Sequence, residues 1–208
     1  MALQVTCPRC PTPLRRGTDG WVCARHGAVA ALRRPVLADY DAFAEHLRVA
    51  QGFPTYLPWP LADAWRVTDF AVVGEAGGAQ ATLTSVAGST VRDGPVEITV
   101  VAEEPGIGLG ARCAGLVHSD PGAQIRDALP GPRIRIDQQA LPLWPLSVEG
   151  AGLERSVVAG EAQGRWLWLV LRPASALLLL TEGWALADLS HLGAALLDVP
   201  FGGPAPPW

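Results

Sequence analysis

The sequence contains neither lysine nor asparagine, and all 16 of its basic residues are arginine. Charged residues make up only 17% of the 208 residues, whereas 49% are hydrophobic, which excludes a disordered chain and indicates a sizeable core. Arginine used to the exclusion of lysine is typical of a genome with a high GC content, so it does not indicate selection for arginine chemistry. The length predicts one domain of ordinary size together with a small module.

Secretory features and long apolar runs are also missing. The start of the sequence, MALQVTCPRC, lacks the charged beginning and the apolar run of a signal peptide. The most apolar stretch, residues 166–180, is short for a membrane span, and Arg172-Pro173 interrupts it. We therefore expect a cytoplasmic protein that makes no membrane contact and keeps its thiols reduced.

Three of the four cysteines lie close together near the N-terminus. They form two knuckles, Cys7-x2-Cys10 and Cys23-x2-His26, with twelve residues between them. Three thiolates and one imidazole suit Zn²⁺, and four protein ligands close the site to a substrate. The spacing therefore predicts a zinc ribbon with these four residues as ligands of a structural zinc ion. The fourth cysteine, Cys113, is predicted to be a buried, small apolar residue.

Redox and disulfide chemistry are the alternatives to zinc. A redox Cys-x2-Cys pair needs a helix that starts at the motif, and Pro8, Pro11 and Pro13 prevent a regular helix there. Disulfide pairing would leave one of the three cysteines over and give His26 no role. An iron–sulfur cluster usually takes four cysteines. These alternatives stay open, and the sequence favours zinc over each of them.

The predicted ribbon is basic. Residues 1–34 carry six arginines and a single acidic residue, a net charge of +5. Because the net charge of the whole chain is −4, the remainder carries −9. Trp21, two residues before Cys23, is expected to pack over the metal. The candidates for contact with an acidic partner are Arg9, Arg15, Arg16 and Arg25. We expect that partner to be a protein, with nucleic acid as an alternative that the acidic remainder of the chain disfavours.

The fold class predicted from the hydrophobic pattern is α+β: an N-terminal zinc ribbon, then a mainly antiparallel sheet domain with two or three helices. The ribbon is assigned to residues 1–34, a helix and proline-rich linker to 35–61, and the sheet domain to 62–208. Helices are expected over 38–50, with Asp39 as N-cap, and over about 108–116 and 184–196. The predicted strands are 13–15, 28–32, 66–73, 81–86, 97–102, 133–136, 142–147, 155–159, 165–171 and 176–180. The last two are expected to form a hairpin around residues 172–175.

A glycine-rich turn, within TVVAEEPGIGLGARCAGL at residues 99–116, is the second candidate site. Its possible ligand-binding residues are Glu103, Glu104, Gly106, Gly108 and Arg112, with Arg112 as the ionic partner of the carboxylates. A dinucleotide-binding turn is disfavoured, because two carboxylates stand where a pyrophosphate would lie and strands do not alternate with helices. The alternative is a tight strand-to-helix turn in which glycine supplies backbone freedom.

No catalytic residue is predicted. The sequence has no Gly-x-Ser-x-Gly, and His118-Ser119-Asp120 places triad residue types next to one another, where adjacent side chains point apart. The sequence thus favours a non-enzymatic binding or regulatory protein that uses a structural zinc ribbon as a contact module. A small-ligand-binding protein or enzyme at the glycine-rich turn is the alternative, and nucleic-acid binding through the ribbon is the third hypothesis.

The chain resembles an uncharacterised bacterial family of short zinc-ribbon proteins from high-GC genomes. The resemblance rests on CPRC…WVCARHG, YLPWPL…W, VAEEPGIGLGARCAGL and GRWLWLVLRPASALLLL, and it covers essentially the whole chain. It implies a ribbon joined to one compact domain, with the zinc ligands at Cys7, Cys10, Cys23 and His26. It implies no established activity, substrate, partner or catalytic residue.

Overall fold

A computed structural model describes residues 2–18, 20–117, 119–126, 128–181 and 183–208. The helices in these ranges are α1 (Tyr40–Val49), α2 (Leu109–Ala114) and α3 (Gly122–Ile125), with short 3₁₀ helices at Ala174–Leu179, Leu189–His191 and Gly193–Asp198. The strands are β1 (Leu3–Thr6), β2 (Arg15–Gly17), β3 (Gly20–Cys23), β4 (Gly27–Ala28), β5 (Leu32–Pro35), β6 (Tyr56–Pro58), β7 (Arg66–Val73), β8 (Ala81–Thr90), β9 (Gly94–Glu103), β10 (Arg133–Ile136), β11 (Gln139–Pro142), β12 (Trp144–Pro145), β13 (Ser156–Ala162), β14 (Arg165–Arg172) and β15 (Ala185–Asp188).

An eight-stranded antiparallel sheet organises the molecule, in the order β1-β5-β7-β8-β9-β14-β13-β12. A four-stranded sheet, β11-β10-β15-β6, contains one parallel pair, between β10 and β15. The first knuckle precedes a three-stranded sheet, β2-β3-β4, and the second connects β3 to β4; β1 and β5 enclose this segment in sequence. Because β1 and β5 pair with each other and β5 pairs with β7, the main sheet holds both ends of the knuckle segment.

The hydrophobic core lies on both faces of the large sheet. On one face, Phe70 and Ile98 pack with α1 and the four-stranded sheet. On the other face, Leu83, Val101 and Trp168 pack against α2. Strand β14 is buried between β9 and β13, as expected for an apolar strand in the centre of a sheet. Each large side chain buried in this way contributes roughly 1.5–3 kcal/mol.

Helix α1 lies within the predicted range 38–50, and Asp39 is its N-cap, as predicted. The Asp39 carboxylate accepts a hydrogen bond from the Ala42 N–H at 2.8 Å, which satisfies one of the free amides of the first turn. Phe43 lies on the buried face, with its ring 4.9 Å from that of Phe70. After the helix, Gly52 adopts a φ of 83°, the left-handed conformation that glycine accepts without strain.

Two predicted elements near the C-terminus are wrong. Residues 176–180 do not form a strand, because the chain enters a 3₁₀ helix over Ala174–Leu179 directly after Pro173, so the expected hairpin with β14 is absent. The helix predicted over 184–196 is replaced by β15 and two 3₁₀ helices. Strand β15 pairs with β6 and β10, so contacts with distant segments override the local helical pattern.

The predicted fold class is confirmed: the sheets are mainly antiparallel, the helices are few, and a ribbon-like Cys/His group lies near the N-terminus. The ranges of β7 and β10 agree with the prediction, whereas the predicted strand at 142–147 is divided between β11 and β12. None of the helices in the described part of the chain has the length and apolar character needed to cross a membrane.

Candidate metal centre

The two knuckles bring four metal-ligand types to one point. One ligand atom from each of Cys7, Cys10, Cys23 and His26 lies within 4.8 Å of the others. The Nδ1 atom of His26 is 3.4 Å from Cys7 Sγ, 3.5 Å from Cys10 Sγ and 3.6 Å from Cys23 Sγ. Cys10 Sγ and Cys23 Sγ are 3.7 Å apart.

These separations have the size that a tetrahedral metal ion requires. Bonds of about 2.3 Å to sulfur and about 2.0–2.1 Å to nitrogen place tetrahedral ligand atoms roughly 3.5–3.8 Å apart. The four cysteine sulfurs of the described chain are free thiols, so no disulfide competes for this group. The arrangement can hold a metal ion with four protein ligands. A tetrahedral ion bound in this way has no coordination position open to water or substrate.

The two knuckles stabilise their thiolates in the same way. The backbone N–H of Arg9 donates to Cys7 Sγ at 3.4 Å, and that of Arg25 donates to Cys23 Sγ at 3.4 Å. In both cases the donor is the backbone N–H of the residue two positions after the cysteine. The tight turn of the knuckle directs this N–H back at the sulfur. These contacts orient the ligands and offset part of the negative charge of a Cys3His set.

Burial and hydrogen bonding act differently on the first two thiols. Burial raises the pKa of Cys7 to about 11. Burial would also raise the pKa of Cys10, but its hydrogen bonds with Thr12, Cys23 and Cys7 lower it to about 6. A bound dication favours the thiolate of both residues, so metal binding would release protons from this group.

Apolar shielding of the cysteines comes from Leu14 and Val29, which pack against them. Trp21 is not among the side chains that pack on the cysteines in the described part of the chain, so its packing over the metal stays a prediction. The Trp21 ring lies 5.5 Å from the guanidinium of Arg16 and lines a cleft of about 690 Å³. The turn between β7 and β8, including Glu75 and Gln80, also lines that cleft.

The knuckle that contains Cys7 and Cys10 is attached to the glycine-rich turn by two arginines that point in opposite directions. Arg9 donates to the carbonyl of Ile107 at 3.2 Å and to that of Gly106. Arg112, on α2, donates from Nη1 to the Cys7 carbonyl at 2.7 Å. A β-carbon at Gly108 would lie 3.1 Å from Arg9 Cγ, so the turn is shaped to admit the Arg9 side chain.

Glu103 anchors the same turn from inside. Its side chain is fully buried, and Oε2 accepts hydrogen bonds from the N–H groups of Leu109 at 2.7 Å and Gly110 at 3.2 Å. Burial raises the pKa of the Glu103 carboxyl to about 7, against the lowering effect of these two amides. Gly110 is also close-packed, because a β-carbon there would lie 2.3 Å from Trp168 Cδ1.

The predicted ligand-binding residues therefore lie together at the turn, but with different neighbours. Glu104 is exposed, and Gly106 donates its N–H to Asp120 at 2.8 Å. Arg112 does not form the expected ion pair with Glu103 or Glu104 among the described residues; it faces Cys7 instead. Ligand binding at this turn stays a prediction. His118, considered above beside Ser119 and Asp120, lies outside the described residues.

The candidate partner-contact arginines differ in their surroundings. Arg9 is engaged with the glycine-rich turn, whereas Arg15, Arg16 and Arg25 are exposed on the ribbon. Cys113, on α2, is buried at 3% exposure among apolar side chains, as predicted.

A charged cluster on the large sheet has no counterpart in the sequence predictions. Arg34 forms an ion pair with the buried Asp69 at 2.8 Å, and the indole Nε1 of Trp208 donates to the same carboxylate at 3.0 Å. Asp69 is 35 residues from Arg34 and 139 residues from Trp208 in sequence, so no local sequence pattern predicts this cluster. The one available signal is an aromatic residue at the end of a proline-rich tail.

Comparison with known proteins gives one match. The model of a family described as "Family of unknown function (DUF6758)" matches residues 1–207, which bears out the expected resemblance to an uncharacterised family. No curated protein and no solved structure matches the chain.

Proposed function

The chain belongs to this family of unknown function, and we propose that it is a cytoplasmic, non-enzymatic zinc protein that presents its ribbon to a protein partner. The observation that carries the zinc assignment is the ligand geometry: the four ligand atoms lie within 4.8 Å of one another, and four of their six separations are 3.4–3.7 Å, which suits Zn²⁺ with three thiolates and one imidazole. Cys7, Cys10, Cys23 and His26 would hold the ion. Zinc would supply folding free energy to a segment too small to bury an apolar core.

A structural role fits the donor set better than a catalytic one. All four positions are taken by protein ligands, and three of them are almost completely buried. A catalytic zinc ion keeps a position open for water or substrate. Arg9 and Arg112 tie one knuckle to the core, so the ion would also fix the ribbon against the sheet domain.

The proposed contact surface consists of the exposed arginines of the ribbon that take no part in that attachment. These are Arg15, Arg16 and Arg25, and Val22 is 41% exposed. Exposed positive charge together with an exposed apolar side chain suits an acidic protein surface. We keep the ranges 1–34, 35–61 and 62–208 as the proposed division of the chain.

The experiment is charge reversal on purified, zinc-loaded protein. Replacement of Arg15, Arg16 and Arg25 by Glu is expected to abolish photo-crosslinking of the ribbon to its partner in extracts of the native cell. In the matched control, Arg92 and Arg126, which are exposed and lie far from the ribbon in sequence, are replaced by Glu. This variant should still form the crosslink. Equal crosslinking by both variants would contradict the proposed surface.

Binding of nucleic acid through the same arginines has a different signature. It would weaken steeply as salt is added, because phosphate contacts release counterions. Binding of labelled single-stranded and double-stranded DNA and RNA at 50 and 200 mM salt measures this directly. The proposed protein contact predicts no binding of these probes, and a tight, salt-sensitive complex would support the nucleic-acid alternative instead.

A further inference from the structure

The C-terminal tail ends in a site built from charged side chains of the sheet and α2. The indole ring of Trp208 contacts two guanidinium groups, with its centroid 4.2 Å from that of Arg34 and 4.8 Å from that of Arg112. Its Nε1 donates to Asp69 Oδ2 at 3.0 Å. Arg172 donates to the carbonyl of Pro207 at 3.3 Å. Two cation–π contacts together with a hydrogen bond from the ring N–H form a site that suits an indole.

The tail also completes the environment of a buried carboxylate. Asp69 is 2% exposed and accepts from Arg34 and from Trp208. Burial raises the pKa of Asp69, whereas the hydrogen bonds from Arg34 and Trp208 act in the opposite direction. Arg34 itself donates to the carbonyl of Pro206, at 3.3 Å. Loss of the tail would therefore remove one of the donors to Asp69 and expose the carboxylate to water.

One side chain belongs both to this site and to the surroundings of the metal centre. Arg112 stacks on Trp208 and donates from Nη1 to the Cys7 carbonyl at 2.7 Å. A metal ion bound by Cys7 would fix the position of that carbonyl, and the carbonyl in turn would fix the guanidinium. A fixed guanidinium provides one face of the indole site, so the two sites share a structural element.

We propose that residues 204–208 form a latch whose docking is coupled to metal binding through Arg112. Zinc binding favours the docked tail, and the docked tail favours zinc binding by the same factor, because coupling between two binding equilibria is reciprocal. When zinc leaves, Arg112 loses its fixed acceptor, and the equilibrium of the tail shifts towards the undocked state by the same factor. This inference rests on the proposed zinc binding and goes beyond it, since a purely local zinc ribbon would not sense the tail.

The first test measures zinc affinity by competition with a chromogenic chelator under reducing conditions. Trp208→Ala changes no residue of the ribbon, yet the latch predicts that it weakens zinc binding by about fivefold or more, the lower range of typical coupling between sites. Trp208→Phe keeps a stacking ring but loses the N–H to Asp69, so an intermediate affinity is expected. Trp144→Ala is the control, because Trp144 hydrogen-bonds to Ala128 and contacts neither Arg112 nor Asp69 among the described interactions.

The second test observes the tail directly in the full chain labelled with 5-fluorotryptophan. The ¹⁹F resonance of Trp208 is identified by its absence from the Trp208→Phe protein. Removal of zinc should move this resonance towards the position of a free indole and narrow it, and added zinc should restore it. If Trp208→Ala fails to fold, the zinc affinity of Trp208→Phe and the ¹⁹F spectrum of the wild-type chain still test the coupling between the tail and the metal.

The outcomes separate the two proposals. Failure of the wild-type chain to bind zinc would overturn the proposed function itself. Normal zinc binding, with the same affinity in the wild type, Trp208→Ala and Trp208→Phe and an unchanged Trp208 resonance after zinc removal, would overturn the latch alone.

Discussion

Arg112 and Cys7, 105 residues apart in sequence, are joined by a hydrogen bond of 2.7 Å from the arginine Nη1 to the cysteine carbonyl. Arg9 makes the reverse connection, from the knuckle to the carbonyls of the glycine-rich turn. The two stretches of sequence with the most distinctive composition therefore form one structural unit. The geometry favours the view that the turn holds the ribbon in place.

Replacement of Arg112 by Ala should weaken this unit. The side chain is partly buried and donates to a carbonyl of the metal centre, so its loss should lower the free energy of unfolding by about 1.5–3 kcal/mol. Denaturant titration of the zinc-loaded protein measures the change. Arg92→Ala, at an exposed hairpin position, should change the stability by less than about 0.5 kcal/mol. Equal stabilities of the two variants would contradict a docking role for Arg112.

Glu103 should give the stability a distinct dependence on pH. Folding raises its pKa from 4.5 to about 7, so its contribution is fully present below about pH 4.5 and is lost as the pH rises through 7. Glu103→Gln does not titrate. The free energy of unfolding of the variant relative to the wild type should therefore rise between pH 5 and pH 8, by on the order of 2 kcal/mol.

Denaturant titrations of both zinc-loaded proteins at pH 5, 6, 7 and 8 check this expectation. Effects of pH on the metal centre are common to the two proteins and cancel in the difference. Parallel pH profiles would mean that the Glu103 carboxyl titrates alike in the folded and unfolded chains.

Gly110 should not accept even one additional methyl group. Its β-carbon would lie 2.3 Å from Trp168 Cδ1, a ring atom in the packed core, so Gly110→Ala should cost about 1–3 kcal/mol. The matched control is Gly122→Ala in α3, where the nearest atom belongs to Trp166 at an ordinary 3.7 Å. Thermal unfolding should show a lower Tm for Gly110→Ala alone, and similar Tm values would refute close packing at Gly110.

Local chemistry was predictable from the sequence. The knuckle spacing indicates the metal-ligand cluster because each Cys-x2 pair forms one tight turn. The N-cap at Asp39 and the bounds of β7 follow from side chains that act within a few residues. Each of these features depends on neighbours in sequence.

The errors occur where distant contacts decide the structure. The run of leucines at 177–180 is compatible with strand or helix, and Pro173 followed by core contacts of Ala176 favours a 3₁₀ helix. Strand β15 forms because β6 and β10 supply partners on both sides. The site of Trp208 is formed by residues from β5, β7 and α2, so no short stretch of sequence predicts it.

Metal analysis of the purified chain tests the central claim most directly. Protein prepared under reducing conditions should contain about one zinc ion per chain, and Cys23→Ser should lose it. Cys113→Ser should keep it, because Cys113 lies in the apolar core and not among the four ligands. Wild-type protein that is folded, fully reduced and free of zinc, even after zinc is added, would contradict the account.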